Sequence, residues 1–459
     1  MMSYPEAVAY LESFVNYEKI PWYPYKRSVK LKRIRDFLAS IGNPHHALRC
    51  VHVAGTKGKG STSACIAFML RAGGYRVGLY TSPHLSDFRE RIRVLSARTP
   101  QEPLGHAFEG MITKDALARL LSQLKPAIER YRRVSKYGAL SFFEVYTSLA
   151  FLYFKERKVD IAVLETGLGG RLDATNVVDP LVCALTPISY EHTRQLGNTL
   201  EKIAKEKAGI VKSPGVIVIS APQSKDSGRV IRERCARVGA HLFTVGKDIR
   251  LKRTGMLFSV QGLFSKYPNL KIKLLGSHQR INAAVAIGVV EGLRYANIRI
   301  DNRSIRKGLS CTFWPGRCEV VARAPLVILD GAQNKASALA LKKAIRENFR
   351  YKDLILVLGI SQDKDIQGVC SALRNLADTV ILTKACTIRA SEPQQLYGYF
   401  AGKRRFLTAD TKSARLLAEA VAGKNDLVLV TGSFFVIGEF RRCFFDTDTH
   451  LRRNSVSAS

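Results

Sequence analysis

Acidic residues are scarce in this chain: 38 Asp and Glu stand against 72 Lys and Arg, a formal charge of +34 over 459 residues. An excess of that size favours polyanions non-specifically. Yet the basic residues are spread out, and their clusters at 26–35 and 403–405 are short. Neither zinc-finger spacing nor a basic heptad region is present, so no nucleic-acid-binding module is legible. No apolar stretch approaches the ~20 residues that a membrane-spanning helix needs. The opening segment, MMSYPEAVAYLESF, carries acids and lacks the basic-then-apolar order of a secretory signal. The nine cysteines contain no CxxC pair, which argues against a disulfide framework or a structural zinc site. A reducing compartment is expected, hence a cytoplasmic protein without membrane contact.

What is present is ample apolar material, 46% of the chain, and enough length for two or three domains. The densest stretch is residues 51–63, VHVAGTKGKGSTS. A buried strand breaks into a turn with Gly55, Gly58 and Gly60, and a helical pattern follows at once. Strand, glycine turn, lysine and hydroxyls, then helix is the order of a phosphate cradle. Glycine is needed where backbone must approach phosphate closely, and Lys59 is placed to reach the outer phosphates. The ending is irregular, because Gly60 follows Lys59 and the first hydroxyl belongs to Ser61.

Further strands end in polar residues. The strand at 77–80 is followed by Ser82, a candidate metal or phosphate contact, and by His84, which reads equally as a loop histidine bonded to backbone. Arg89, Arg91 and Arg93 alternate, as on a strand with one charged face toward anionic substrate or water. A helix is predicted over 114–134, interrupted or kinked at Pro126. Ser141 and Glu144 have capping-box spacing, while Phe142 and Phe143 offer lining for an aromatic pocket. Glu165 terminates the strand at 161–164, a natural magnesium ligand opposite a nucleotide phosphate. Asp173 and Asn176 are polar groups that the following loop can present to substrate. A further strand runs on toward Glu191 and His192; nitrogen is the least expected donor for magnesium. Lys207 lies among Lys202, Lys205 and Lys212, and spacing alone does not separate it from surface lysines.

The alternation of strands and helices predicts an α/β fold with a doubly wound, mostly parallel sheet. Residues 250–275 read as an antiparallel hairpin at that sheet's edge. A boundary is expected near residue 312, giving a large domain over 1–312 and a smaller Rossmann-like α/β domain over 313–445. Asp330 ends a strand of the second domain, as a ribose contact or a helix cap. The Asp363-Lys364-Asp365 run favours contact with a charged small molecule. Residues 446–459 are left as a disordered tail.

Nine segments occur in an order that resembles the folylpolyglutamate synthase/dihydrofolate synthase family of the Mur ligase superfamily. They are VAGTKGKGS, TSPHLSDFRERI, LSFFEVYTSLAF, ETGLGGRLDATN, HTRQLGNTLEKIAKEKAGIVK, GSHQRINAA, WPGRCEV, ILDGAQN and the loop holding Asp363. The resemblance spans about residues 5–440 and implies an ATP- and Mg²⁺-dependent amide ligase. Gly58, Lys59, Gly60 and Ser61 correspond to the ATP phosphate loop, and Asn282, Arg317 and Asp330 to further nucleotide contacts. Ser82, Glu165 and His192 correspond to magnesium ligands. Lys207 is similar to a lysine that becomes carbamylated and turns into an anionic ligand. Leu140, Ser141, Phe142 and Phe143, with Leu172, Asp173 and Ala174, resemble dihydropteroate-binding elements.

The implied reaction phosphorylates a pterin-linked carboxylate to an acyl phosphate, which the amino group of L-glutamate then attacks. The acceptor is dihydropteroate, a folate or both, L-glutamate lies nearer the second domain, and a monomer is expected. Three departures accompany the likeness: Lys57 where many bacterial members carry Asn, Glu191 for the usual Asp, and Gln333 for the usual His. The readings set against it are a Mur-type ligase for a cell-wall precursor, a nucleic-acid-binding P-loop ATPase, and a degenerate structural relative.

Overall fold

The computed structural model describes residues 1–20, 23–97, 108–255 and 257–445. The 446–459 tail lies outside the described residues.

Seven strands form the first sheet: β1 Cys50–Ala54, β2 Val77–Tyr80, β3 Ile92–Leu95, β4 Ile161–Glu165, β5 Val182–Leu185, β6 Ile217–Ser220 and β7 His241–Thr244. Their order is β3-β2-β4-β1-β5-β6-β7, and every pairing is parallel except β2 with β3. Side chains alternate across the sheet, as the twofold period of a strand requires. Val51, Val53, Val163 and Ala184 enter the cluster on one face, while Cys50, Ala54, Leu164 and Leu185 enter those on the other. Both faces are covered, which makes the sheet doubly wound.

The helix Lys59–Ala72 crosses one face between Ser277–Gly292 and Asn302–Cys311. A Cβ on Gly308 would come 2.4 Å from the Met69 Cα, so only glycine allows that approach. On the other face Lys114–Val134 and Phe142–Glu156 pack together. The first of these runs unbroken for 21 residues with Pro126 inside it, rather than stopping at the proline.

Residues 250–270 differ from the expected edge hairpin. They form a separate antiparallel sheet of three strands, β8 Arg250–Thr254, β9 Leu257–Gln261 and β10 Lys266–Leu270. A six-stranded sheet follows: β11 Glu319–Arg323, β12 Leu326–Leu329, β13 Leu354–Leu358, β14 Thr379–Leu382, β15 Arg404–Leu407 and β16 Leu427–Thr431. Its order is β11-β12-β16-β13-β14-β15, parallel apart from the β11–β12 pair. The helix Phe434–Phe445 of the second half presses on the loop after β2, for a Cβ on Gly438 would strike the Leu85 carbonyl oxygen at 2.1 Å.

The alternating arginines do not share an open strand face. Phe88–Arg91 is a turn of 3₁₀ helix, and Arg91 and Arg93 are among the most deeply buried large side chains. Arg91 is held by both Glu18 carboxylate oxygens and lies 5.3 Å from the Phe142 ring. Arg93 donates to the Glu109 carbonyl and faces the rings of Phe108 and Trp314. Their charges are absorbed by the interior.

Candidate active site

Strand order gathers the site. The neighbours β2-β4-β1-β5 end, respectively, just before Ser82, on Glu165, at the glycine loop and ahead of His192. In an open α/β sheet the crevice beyond the carboxyl ends of the strands is where ligands bind.

The loop after β1 is wedged from two sides. A Cβ on Gly58, whose φ is +86°, would stand 2.3 Å from Asn282 Oδ1, and one on Gly60 would stand 3.0 Å from Trp314 Cζ2. Asn282 is itself buried and donates to Gln279 Oε1 at 2.9 Å. The helix that starts at Lys59 directs its N-terminus at this crevice, the favourable end for an anion. Ser61 is buried in its first turn, beside Thr62, whose hydroxyl has no hydrogen-bond partner.

Lys59 is the shared electrostatic neighbour of the surrounding groups. Burial pushes the Glu165 carboxyl up to about 7, although Lys59 and the Ser82 N–H at 3.2 Å pull the other way. Burial, then Lys59, brings the Lys207 amine down to about 7, and its Nζ donates to the Gly55 carbonyl at 2.6 Å. Far from being one surface lysine among several, Lys207 is buried at the end of the helix Leu200–Ala208.

His192 has an exposed edge and a left-handed backbone, φ +50°. The cleft walls desolvate its ring and lower it to about 4 against the pull of Glu191, with Lys364, Lys207 and Lys59 adding to the effect. Burial favours the neutral acid at Glu191, but Lys57 and then His192 hold it down at about 2. Among the described residues no group of three or more His, Cys, Asp or Glu is clustered for a metal. The donors at hand are one carboxylate, one hydroxyl and one imidazole. They suit a hard cation that keeps several waters, provided Lys207 is not a cation.

A cavity of about 730 Å³ opens beside these groups, between the two large sheets. Ser82, Ser141, Phe143, Leu172, Asp173, Ala174 and His192 are on its walls, as is Gln333. Leu140 and Phe142 are not; both are buried in the core, Phe142 stacked on Tyr146. The Ser141–Glu144 capping box forms as expected, and Glu144 also pairs with buried Arg33 at 2.8 Å.

Asp173 turns inward to its own loop. It accepts from Gly167 N and Leu168 N at 2.9 Å and from the Thr175 hydroxyl at 2.5 Å. Asn176 likewise donates to the Arg171 and Gly209 carbonyls, so both residues shape the loop. Asp330 accepts from Cys318 N and Ala332 N, fixing the turn before β11. Arg317 lies 4.6 Å from the Phe434 ring centre and its charge reaches Glu165. His84 accepts from Arg91 Nε at 2.9 Å and lines the cavity, rather than bonding to backbone.

One wall was missed by sequence reasoning. Tyr17, Glu18, Tyr23 and Tyr25 come from the aromatic-rich segment at 17–25, which carries none of the motifs above, and they line the cavity. The density of tyrosines was the available signal. Arg389 closes the far side, bound to Asp363 at 2.7 Å and donating to the Glu18 carbonyl at 2.5 Å. Among the described residues, no helix is long and apolar enough to cross a membrane.

Comparison with known proteins agrees with this geometry. Residues 113–290 match the Mur ligase middle domain, and residues 316–434 match the Mur ligase glutamate ligase domain. The Bacillus subtilis dihydrofolate synthase/folylpolyglutamate synthase is 36% identical over 90% of this chain and 94% of its own. The Mycobacterium tuberculosis folylpolyglutamate synthase complexed with ADP superposes with a TM-score of 0.85 at 28% identity, over 96% of this chain and 98% of that one. E. coli FolC in complex with DHPP and ADP gives 0.83 at 28% identity, over 98% and 99%. Sequence relatives and solved structures match along nearly the whole length, the family models over its middle and second half, and this chain belongs to the folylpolyglutamate synthase/dihydrofolate synthase family of Mur ligases.

Proposed function

We propose that this protein uses ATP and Mg²⁺ to join L-glutamate to dihydropteroate, to folates, or to both, releasing ADP and phosphate. The observation that carries the reading is the convergence of the glycine loop, Ser82, Glu165 and His192 at neighbouring strand ends, next to a cavity of about 730 Å³. Such a volume suits a drug-sized ligand, and Phe143, Tyr23 and Tyr25 offer ring faces to a pterin.

Residues 1–312 hold nucleotide and acceptor in this scheme, and residues 313–445 form the glutamate-ligase half. Gly58, Lys59, Gly60 and Ser61 cradle the phosphates, with Asn282 and Arg317 supporting the nucleotide. Lys59 and the helix N-terminus neutralise charge as the acceptor carboxylate becomes an acyl phosphate. The amino group of L-glutamate then displaces phosphate, and no side-chain nucleophile is required. Ser82, Glu165 and His192 would hold Mg²⁺, which supplies countercharge to the phosphoryl oxygens. Lys207 would join them once its neutral amine adds to CO₂ and loses a proton, giving an anionic carbamate. Its buried amine, with a pKa of about 7, is substantially neutral and nucleophilic near neutral pH. The enzyme acts as a cytoplasmic monomer; its nine cysteines, all free, suit a reducing compartment.

The test is product formation. Purified protein is incubated with ATP, Mg²⁺ and labelled L-glutamate, and offered dihydropteroate and tetrahydrofolate separately. Labelled pterin product and stoichiometric ADP are expected with at least one acceptor; neither with either acceptor refutes the reading. Lys59→Ala abolishes every activity found, because one phosphate site serves both.

A further inference from the structure

The segment that carries His192 is attached to the glycine loop in steps. Thr186 N donates to the Ala54 carbonyl at 2.9 Å, and Thr56 N and Lys57 N both donate to the Pro187 carbonyl. The Thr56 hydroxyl donates to the Ser189 carbonyl at 3.2 Å and accepts from Ser189 N at 3.1 Å. The series ends in an ion pair between Lys57 Nζ and Glu191 Oε1 at 2.5 Å, side chains that are 32% and 15% exposed. His192 follows immediately, in a left-handed conformation that a non-glycine residue adopts only when its surroundings hold it.

We propose that Lys57 and Glu191 form a positioning pair that anchors His192 at a fixed height above the glycine loop, and that Lys57 is thereby kept off the nucleotide phosphates. The inference rests on the reading of His192 as a metal ligand. Among the described residues, backbone bonds to the glycine loop carry the attachment only as far as Ser189, and Tyr190 is largely exposed. The ion pair is therefore the contact that transmits the loop's position to His192. Two cations within one glycine loop would otherwise compete for the same phosphates. Glu191 takes one of them and leaves Lys59 as the cation free to meet ATP. The mechanism is that of partners outside the coordination shell, which orient the ligands inside it.

The experiment measures ADP binding to the full chain by calorimetry, with and without Mn²⁺ as the divalent probe. Glu191→Gln, Lys57→Met, the double variant and Lys57→Arg are compared with wild type. Each neutralising single change weakens ADP binding in the presence of Mn²⁺ by about tenfold to a hundredfold. Metal-free ADP binding stays within about twofold in Lys57→Met and the double variant and does not weaken in Glu191→Gln, where the freed Lys57 can reach the phosphates; with Mn²⁺ the double variant is no worse than the weaker single, because the two act as one unit. Lys57→Arg keeps the pair and binds like wild type.

A Lys57→Met effect on metal-free ADP that Glu191→Gln does not share would place Lys57 on a phosphate and overturn the proposal. Additive effects, or variants with unchanged Mn²⁺ dependence, overturn it as well. If wild-type ADP affinity is itself blind to Mn²⁺, the reading of His192 falls with the pair. A metal-dependent wild type with unaffected variants removes the pair alone.

Discussion

Replacing Gly58 by alanine tests the packing of the glycine loop most directly. Two independent costs are visible. With φ at +86°, a β-carbon is strained against its own carbonyl, worth about 1–2 kcal/mol. The same atom would lie 2.3 Å from Asn282 Oδ1 and 2.9 Å from Nδ2, inside the shortest real contacts. Asn282 cannot swing aside freely, since it is 2% exposed and bonded to the equally buried Gln279. Forcing it back is an overpacking change of about 1–3 kcal/mol, so the total is about 2–5 kcal/mol. Gly42 is the control: its φ is +79° but a Cβ there meets nothing within 4 Å, so Gly42→Ala bears only the backbone share. Urea unfolding of both variants, followed together with ADP affinity, separates the terms. Gly58→Ala must lose more stability than Gly42→Ala and must also lose nucleotide binding. Equal losses from the two variants would refute the wedge formed by Asn282.

Phe143→Ala removes an aromatic wall of the cavity and raises the acceptor KM while leaving the ATP KM unchanged, read by steady-state kinetics. Glu144→Gln breaks the buried pair with Arg33 and weakens the cap at Ser141, costing about 3–5 kcal/mol in denaturant unfolding. His52 is fully buried, its Nε2 lies 2.8 Å from the Thr175 hydroxyl, and burial lowers it to about 3. Its folded pKa is depressed below the unfolded value of about 6.5, so its stabilising contribution is whole above that pH and is lost at up to about 1.4 kcal/mol per unit as pH falls toward 3. His52→Gln flattens the stability profile between pH 6 and 4 by about 2–3 kcal/mol, the rest of the slope belonging to other buried groups.

Strand ends were the most legible part of the chain. Apolar runs bounded by glycine and polar residues located β1, β2, β4 and β5, and the polar residues beyond them followed from where such runs stop. Lys207 was opaque because its burial depends on how the helix Leu200–Ala208 docks, a tertiary fact that a run of lysines conceals. Arg91 and Arg93 misled for the opposite reason: alternation suggested a wet face, whereas Glu18 and the aromatic rings that receive them lie far away in sequence. Asp173 and Asp330 were recognised as important positions, but type and spacing did not reveal that their oxygens accept from nearby backbone. The cavity wall at Tyr17, Tyr23 and Tyr25 required the chain to fold back over the sheet, and no local pattern records that.

The position of β1 between β4 and β5 also constrains the order of events during synthesis. The glycine loop emerges near residue 55, yet both strands that flank it are made more than one hundred residues later. At ~5–20 residues per second the ribosome leaves the nascent loop without a sheet beneath it for on the order of ten seconds. The apolar segments on either side of that loop must stay exposed, or be shielded, until residues 161–185 arrive. The arrangement that assembles the phosphate site from neighbouring strands therefore makes its first-made piece wait for two strands that are made much later.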